Sequence, residues 1–503
     1  MSSLLLLRPS QIIPKGTVRA QNGIPSPAIA YLSSFLKSKG VAHQCLDCLG
    51  LALQQLTEYG NGDFLLQGLT IDQTINAIPK DTKLLAVSCN FSNEWAYYYD
   101  LLSAISLAYP SITIVLGGEH ASSDALTILA ELPSVKACII GEGEETLFEF
   151  IQVFNSTKDY SEVKGLIFRT DKNLIQKPPP RPRMEHFEHF ADWSVLPIEN
   201  YLKLGLGMAS QNCRALPIVA TRGCPYRCTF CSSPQMWQQV WRARRVKNVL
   251  EEIRFQTKTY QVKHIEFYDM SAAINSLWFK ELCLGLKDLN ITWNFPSGIR
   301  PEILTKEMLT LMKESGCTKI TLAPEAQSKK LRNELLKDLK LKYVFQATTT
   351  ASKIGILVKF NIIYGLPGQR LIDLIQNYYL ILKMAFFGAH DITAFSFVPT
   401  PGSQLFQELQ ESRKIPSGKD YKSFLSYNVY NNIKKMRSWN PRFSDKQIRF
   451  LCLSSMAIFY FLQYCFRPNR FFQAMKRIYN HKPLTMLELA LHNIKELRKA
   501  QTP

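Results

Sequence analysis

Two series of short apolar strands, each alternating with helical patterns, place most of this chain in the α/β fold class. In the first series the strand candidates are SLLLLR, KLLAVSC, SITIVLGG and VKACIIGEG, and most of them end in polar or glycine-rich turns. This pattern is typical of a doubly wound, Rossmann-like parallel sheet. Ligands of such sheets bind at the carboxyl ends of the strands. The turns at 88–91, 117–122 and 141–144 are therefore the predicted binding positions.

The second series predicts a partial, TIM-like (β/α)6 barrel. Its six strand candidates are LPIVAT, HIEFYD, TWNFPS, KITLAP, KFNIIYG and TAFSFVP. In parallel barrels the chemistry lies at the carboxyl-terminal mouth of the strands. We predict a first domain over 1–155, a linker over 156–215, the barrel over 216–404 and a helical, basic region over 405–503. The linker contains PPPRPR at 178–183, which must be extended.

Composition narrows the function classes. The chain has 503 residues, a net charge of +19 and twelve cysteines. That cysteine content is too sparse for a disulfide scaffold, so it favours cytosolic thiols or a metal centre. The basic surplus suits nucleic acid, an anionic membrane or anionic ligands, but without a Lys/Arg block we predict no nucleic-acid partner. MSSLLLLRPS resembles a first strand rather than a signal peptide, so we expect a cytoplasmic protein.

The most specific motif is Cys224-Pro-Tyr-Arg-Cys228-Thr-Phe-Cys231, directly after the first barrel strand. Three thiolates at this spacing can bind three irons of a [4Fe–4S] cubane and leave the fourth iron open for substrate chemistry. A structural zinc site is the alternative, but zinc would need a fourth Cys or His, and the loop has none.

This motif, TRGCPYRCTFC, resembles the signature of the radical S-adenosylmethionine superfamily. The resemblance implies that the open iron binds the amino and carboxylate groups of S-adenosylmethionine, which an electron cleaves to a 5′-deoxyadenosyl radical. It also implies cofactor-binding roles for Phe230, Glu325, Arg300 and the turn containing Gly365 and Pro367. For Arg300 the alternative is a surface ion pair. Departures from the family pattern are the missing serine after Glu325 and the glutamine that follows the turn.

The first domain resembles the cobalamin-binding domain of cobalamin-dependent radical S-adenosylmethionine enzymes, chiefly through LGGEHA at 116–121 and GEGEET at 141–146. Glu119 stands where that family usually has proline. The resemblance implies base-off cobalamin with no histidine beneath the cobalt, and His120 as a loop residue that lines the pocket. The implied cobalamin-binding residues are Ser88, Asn90, Gly117, Gly118, His120, Gly141, Gly143 and Glu144.

The leading hypothesis is a methyltransferase that places the methyl group of methylcobalamin on an unactivated carbon. Alternatives are a cyclase or oxidase with the same cofactors and a non-catalytic cobalamin or iron–sulfur binding protein. A methylthiotransferase is disfavoured because the cysteines of the first domain have the wrong spacing for a second cluster. The resemblance implies an external electron donor such as flavodoxin or ferredoxin, and a small-molecule or lipid-like substrate. The sequence does not identify that substrate.

The C-terminal region has an apolar run at 450–466, too short to span a bilayer, so we predict no transmembrane helix. A basic, aromatic segment follows. Together they suit a peripheral contact with the inner face of a membrane, a channel for a greasy substrate, or a core helix with a solvated basic face. The basic residues are Arg467, Arg470, Lys476, Arg477 and Lys482.

Overall fold

The structure, a computed structural model, describes residues 3–15, 23–205, 213–430, 432–481 and 483–492. The first strands are β1 (Ser3–Arg8), β2 (Gln11–Pro14), β3 (Gln44–Asp47), β4 (Leu56–Tyr59), β5 (Phe64–Gln67), β6 (Thr82–Ser88), β7 (Thr113–Gly117), β8 (Val135–Ile139), β9 (Leu166–Arg169) and β10 (Ile175–Gln176). The helices among and after them are α1 (Pro27–Ser38), α2 (Cys48–Leu51), α3 (Ile71–Ala77), α4 (Trp95–Ala108), α5 (Glu119–Ser123), α6 (Ala125–Glu131), α7 (Glu144–Phe154) and α8 (Ile198–Leu204).

Seven of these strands form one sheet in the order β10-β9-β8-β7-β6-β1-β3. The five strands from β8 to β3 are parallel, and the strand order reverses beside β1, as the doubly wound prediction requires. Strands β9 and β10 extend the edge in antiparallel fashion. They belong to the stretch interpreted as a linker, which therefore contributes to the sheet. Strands β2, β5 and β4 form a separate small sheet.

The second half contains the predicted barrel. Its strands are β11 (Ala215–Ile218), β12 (Thr221–Arg222), β13 (Arg242–Ala243), β14 (His264–Phe267), β15 (Thr292–Phe295), β16 (Cys317–Glu325), β17 (Leu357–Tyr364) and β18 (Asp391–Ser396). Six of them form one sheet in the order β11-β14-β15-β16-β17-β18, with every pairing parallel. The predicted α/β class, Rossmann-like sheet and six-stranded barrel are confirmed.

Helices cover the barrel and form the C-terminal region. They are α9 (Ser233–Trp237), α10 (Val246–Tyr260), α11 (Ser276–Leu286), α12 (Lys306–Glu314), α13 (Lys329–Glu334), α14 (Leu341–Lys353), α15 (Leu371–Phe387), α16 (Gln404–Glu411), α17 (Lys419–Tyr427), α18 (Asp445–Phe466) and α19 (Pro468–Tyr479). Helix α18 begins with a capping box, in which the Ser444 and Gln447 side chains each bond the other's backbone N–H.

Helix α18 is longer than the apolar run in the sequence. It has 22 residues and is, by length and composition, long and apolar enough to cross a membrane. The expectation drawn from the shorter apolar run, that this region cannot span a bilayer, therefore does not hold for the whole helix. The helix is nevertheless bound to the barrel along one side. Tyr460 donates a 2.6 Å hydrogen bond to Asp391 on β18, and Ser455 lies 2.7 Å from the Tyr364 hydroxyl on β17.

Three of the five basic residues proposed for a membrane contact have a structural role instead. Arg467 donates to the carbonyls of Ala385 and Phe386, and Arg470 donates to those of Gly388 and Ala389. These contacts satisfy carbonyls at the end of α15. In the same region, Arg477 forms an ion pair with Glu488, at 2.6 Å. Lys476 is exposed, and Lys482 lies outside the described residues.

Candidate functional site

A cavity of about 410 Å³, here called the interdomain cavity, lies between the N-terminal sheet and the barrel. The strand-end turns of β6, β7 and β8 form one wall, as the rule for parallel sheets predicts. The opposite wall is formed by residues that follow the first two strands of the barrel sheet, including Arg222, Trp237 and Tyr268. The sequence-predicted cobalamin residues that line this cavity are Ser88, Asn90, Gly117, Gly118, Gly141, Gly143 and Glu144.

The glycines of the first wall have two different roles. Gly118 and Gly141 have φ angles of +119° and +80°, and a Cβ at Gly141 would lie 2.0 Å from Nη1 of Arg183. At Gly117 and Gly143, by contrast, an added Cβ would meet only Ile139, at 3.9 Å. Gly118 and Gly141 therefore shape the turns, whereas Gly117 and Gly143 leave space in the cavity that a bulky planar ligand such as cobalamin can fill.

His120 does not line the interdomain cavity, contrary to its predicted place. It is fully buried in α5, where its ring packs against Trp95 at a centroid distance of 5.2 Å and its Nδ1 bonds Ser92 at 3.0 Å. Burial lowers the pKa of His120 to about 3, so the ring is neutral. The neighbouring Glu119 reaches the cavity in its place.

Glu144 lines the interdomain cavity, but its carboxylate is bound to the protein. Arg222 donates to Glu144 at 2.6 Å and to Glu142 at 2.8 Å, and Arg242 pairs with Glu142 at 3.0 Å. Burial by itself would raise the pKa of Glu144, but the Arg222 guanidinium lowers it overall. This network joins the two halves of the protein beside the cavity.

A second cavity of about 330 Å³, the barrel-mouth cavity, lies at the carboxyl ends of the barrel strands. Cys224, Cys228 and Cys231 all line it, and each is partly buried. Within the described ranges no three His, Cys, Asp or Glu side chains are grouped to hold a single metal ion. In a cubane cluster, by contrast, each cysteine thiolate binds a separate iron. Burial raises the pKa of Cys231 to about 12, so cluster binding would displace thiol protons.

The predicted S-adenosylmethionine residues Glu325, Arg300 and Phe230 line the same cavity as the cysteines. Glu325 is the last residue of β16. Its φ of +62° is an uncommon backbone conformation for a residue other than glycine. Its carboxylate forms an ion pair with the Lys337 ammonium, at 3.1 Å. Burial lowers the pKa of Lys337, but the nearby Glu325 and Cys228 raise it overall.

Two residues that line the barrel-mouth cavity, Arg300 and Asn361, each carry a buried polar atom with no hydrogen-bond partner among the described residues. The Arg300 guanidinium lies 3.9 Å from the ring centre of Tyr226 and forms an ion pair with Glu302. Its Nε, however, is buried with no hydrogen-bond partner among the described residues. Oδ1 of Asn361 is unsatisfied in the same way. Such orphaned groups are costly unless a ligand binds them. They fit a polar, zwitterionic ligand such as S-adenosylmethionine.

Gly365 and Pro367 lie outside the barrel-mouth cavity, contrary to their predicted role. The Gly365 N–H donates to the Gln369 side chain at 2.8 Å, and Asn440 donates to the Pro367 carbonyl at 3.1 Å. The turn thus packs against the C-terminal region. Gln369, a departure from the family pattern, closes the turn through its side chain.

Sequence reasoning missed three residues of this site. Lys337 has no local signal, since it belongs to the polar segment after α13. Glu119 and Met270 line both cavities, so the two cavities meet at these side chains. Glu119 accepts a hydrogen bond from Ser232, next to the last cysteine of the loop. The departure at Glu119 was visible in the sequence, but its position between the cavities was not.

Known proteins support this reading of the fold. Residues 218–378 match the Radical SAM superfamily. Cytidylyl-2-hydroxyethylphosphonate methyltransferase of Streptomyces wedmorensis is 24% identical over 414 residues, covering 76% of this chain and 77% of that protein. The anaerobic magnesium-protoporphyrin IX monomethyl ester cyclase of Rubrivivax gelatinosus is 26% identical over 313 residues, which cover 61% of this chain but only 55% of the cyclase.

The fold also resembles a solved structure, that of the radical S-adenosylmethionine methyltransferase TsrM of Kitasatospora setae with cobalamin and a [4Fe–4S] cluster bound. The TM-score is 0.64 at 15% identity, over 82% of this chain and 75% of TsrM. Residues 218–378 therefore match the Radical SAM superfamily, and most of the chain shares the fold of TsrM.

Proposed function

We propose that this enzyme is a cobalamin-dependent radical S-adenosylmethionine C-methyltransferase acting on a small molecule. The observation that supports this best is the junction of the two cavities at Glu119 and Met270. A carbon held at this junction would be accessible from the cluster side and from the cobalamin side. Bound together, these cofactors supply a radical that removes a hydrogen atom from the substrate and a methyl group that replaces it.

The protein's own residues then have distinct roles. Cys224, Cys228 and Cys231 would hold the cluster, while Glu325 and Arg300 would orient the amino and carboxylate groups of S-adenosylmethionine. On the other side, Gly117 and Gly143 would admit the corrin ring. No histidine lines the interdomain cavity in the described residues, which agrees with cobalamin that lacks a histidine ligand.

A cyclase or oxidase with the same cofactors is the second candidate, because the Rubrivivax gelatinosus relative is named a cyclase. Product analysis separates the two. After anaerobic reconstitution, methyl-labelled S-adenosylmethionine is incubated with candidate substrates. Methyl transfer predicts labelled product with both 5′-deoxyadenosine and S-adenosylhomocysteine. Substrate-dependent 5′-deoxyadenosine without transferred label would support the cyclase or oxidase and contradict the methyltransferase. If neither reaction occurs although both cofactors bind, the non-catalytic alternative gains support.

The reaction also needs one electron for each cleavage of S-adenosylmethionine, and we propose a flavodoxin or ferredoxin in the cytoplasm as the donor. A donor with an acidic surface would be complementary to this basic chain, whose net charge is +19. The test measures the rate of 5′-deoxyadenosine formation at several concentrations of reduced flavodoxin, at low and at high salt. The rate should increase with flavodoxin concentration and decrease at high salt. A rate that does not depend on flavodoxin concentration would contradict this donor.

A further inference from the structure

Three helices carry just over half of the large apolar side chains that are exposed in the described part of the chain. These are α15, α18 and α19, and we call their outward side the outer helical face. Barrel helices ordinarily present polar side chains to water. Here the outward residues include Ile375, Phe386, Phe461 and Phe472, with 57%, 60%, 68% and 69% of their surfaces exposed. An apolar surface of this kind marks an interaction site.

The apolar side chains form one surface, because the three helices are fixed side by side. Tyr378 of α15 bonds Ser454 of α18 at 2.7 Å, and the rings of Phe386 and Phe466 are 5.7 Å apart. The rings of Tyr464 and Phe471, 5.6 Å apart, connect α18 to α19. The exposed residues of adjacent helices therefore point away from the barrel together.

Helix α18 lies along the barrel and does not leave it. Its inward side chains include Ile448, Cys452 and Phe459, all fully buried. The hydrogen bonds of Ser455 and Tyr460 to the barrel strands would be lost if the helix inserted across a bilayer. A helix with one side bound to protein and an apolar, aromatic opposite side suits the plane of a membrane interface.

The charge on these helices is almost entirely positive. Their only acidic residues are Asp373, which is buried against Arg370, and Asp445. Lys446 and Lys476 are exposed, and Lys383 lies 4.4 Å from the ring centre of Tyr379 on the same face. Basic residues around an apolar surface are complementary to anionic lipid headgroups.

We propose that the outer helical face binds the surface of an anionic lipid bilayer, with α15, α18 and α19 lying parallel to it. A second copy of this chain fits less well, since pairing of two such faces would bring like charges together. The proposal does not depend on the reaction catalysed. The membrane contact is thereby assigned to an apolar face and its flanking lysines. Most of the basic residues that the sequence suggested for such a contact instead stabilise the fold.

The test is sedimentation of the full chain with vesicles of phosphatidylglycerol and phosphatidylcholine in equal amounts. The variant carries Ile375→Ser, Phe461→Ser and Phe472→Ser. Its matched control carries Leu107→Ser, Leu174→Ser and Leu277→Ser, which change three exposed apolar residues elsewhere, with 82%, 61% and 78% of their surfaces exposed. We expect the ratio of vesicle-bound to free protein to be about ten-fold lower for the face variant, because each substitution reduces the apolar area that the bilayer buries. The control should bind like wild type.

Two further measurements make the result decisive. Vesicles of phosphatidylcholine alone should bind wild type less than the anionic vesicles do, and thermal unfolding should show that both variants are folded. Absence of wild-type binding, or equal binding by wild type and the face variant, would overturn the proposal. A lipid-free dimer that the face variant converts to monomer would also overturn it, by assigning the face to a subunit interface.

Discussion

Arg222 donates hydrogen bonds to Glu144 at 2.6 Å and to Glu142 at 2.8 Å, and thereby connects the first barrel strands to the turn after β8. All three side chains are nearly buried. The two carboxylates come from the GEGEET motif, whose residue Glu144 the sequence assigned to cofactor binding. In the structure, Glu142 and Glu144 of this motif hold the two halves of the protein together beside the interdomain cavity.

Arg222→Ala should therefore be strongly destabilising. Removing one partner of a buried ion pair leaves uncompensated charge and costs about 3–5 kcal/mol. Urea unfolding of the cofactor-free protein measures this loss as a lower midpoint. The control is Arg254→Ala, which removes an exposed arginine of α10 and should leave the midpoint unchanged. If both variants unfold at the wild-type midpoint, the Arg222 network does not hold the two halves together.

The three cysteines of the barrel-mouth cavity should bind the cluster together. Changing Cys224, Cys228 and Cys231 to Ala should abolish bound iron, the visible absorbance of the reconstituted protein and cleavage of S-adenosylmethionine. Cys465→Ala provides the control, since that cysteine is exposed on α18. Iron content at the wild-type level in the triple variant would show that other residues bind the cluster.

The sequence predicted those parts of the protein that depend on local patterns. Strand periodicity located all six barrel strands, and strand-end turns located the wall of the interdomain cavity. His120 was misplaced because a single residue's direction depends on the turn that precedes it. There, Gly118 at φ +119° starts a short helix that directs Glu119 toward the cavity and His120 into the core.

Contacts between distant segments were beyond the sequence. The pairing of Glu325 with Lys337, the closure of the Gly365 turn by Gln369, and the use of Arg470 to satisfy carbonyls after α15 all depend on tertiary packing. A lysine or arginine in a basic, polar stretch gives no local sign that it will be buried against a distant acceptor. For this reason the sequence leaves three interpretations of the basic C-terminal region open: a membrane contact, a substrate channel, and a core helix with a solvated basic face.

Gly143 provides a test of the interdomain cavity that does not strain the backbone. Its φ of −90° suits any residue, and an added Cβ would meet only Ile139 at 3.9 Å. Gly143→Ala should therefore still bind cobalamin, whereas Gly143→Leu should fill the cavity and abolish binding. Equilibrium dialysis with hydroxocobalamin measures the stoichiometry, and thermal unfolding checks the fold. Wild-type affinity in folded Gly143→Leu would place cobalamin elsewhere.

Glu94 should make the stability of the N-terminal half depend on pH. It is buried near Arg8 and Cys89, and it accepts a hydrogen bond from Tyr98. Burial raises the pKa of Glu94 from 4.5 to about 7, although Tyr98 and Arg8 act in the opposite direction. Because the unfolded chain loses this proton first, the stabilising contribution of the protonated carboxyl is complete below pH 4.5 and is lost as the pH rises toward 7.

Glu94→Gln removes this titration but keeps an oxygen for the Tyr98 hydroxyl. The free energy of unfolding of the variant, relative to wild type, should increase with pH by up to about 3 kcal/mol between pH 4.5 and 7, and then remain constant. Urea unfolding of the cofactor-free protein at several pH values gives the difference. Exposed Glu162→Gln is the control and should show a much smaller pH dependence. A Glu94→Gln difference that stays constant with pH would mean that Glu94 is already ionised in the folded protein.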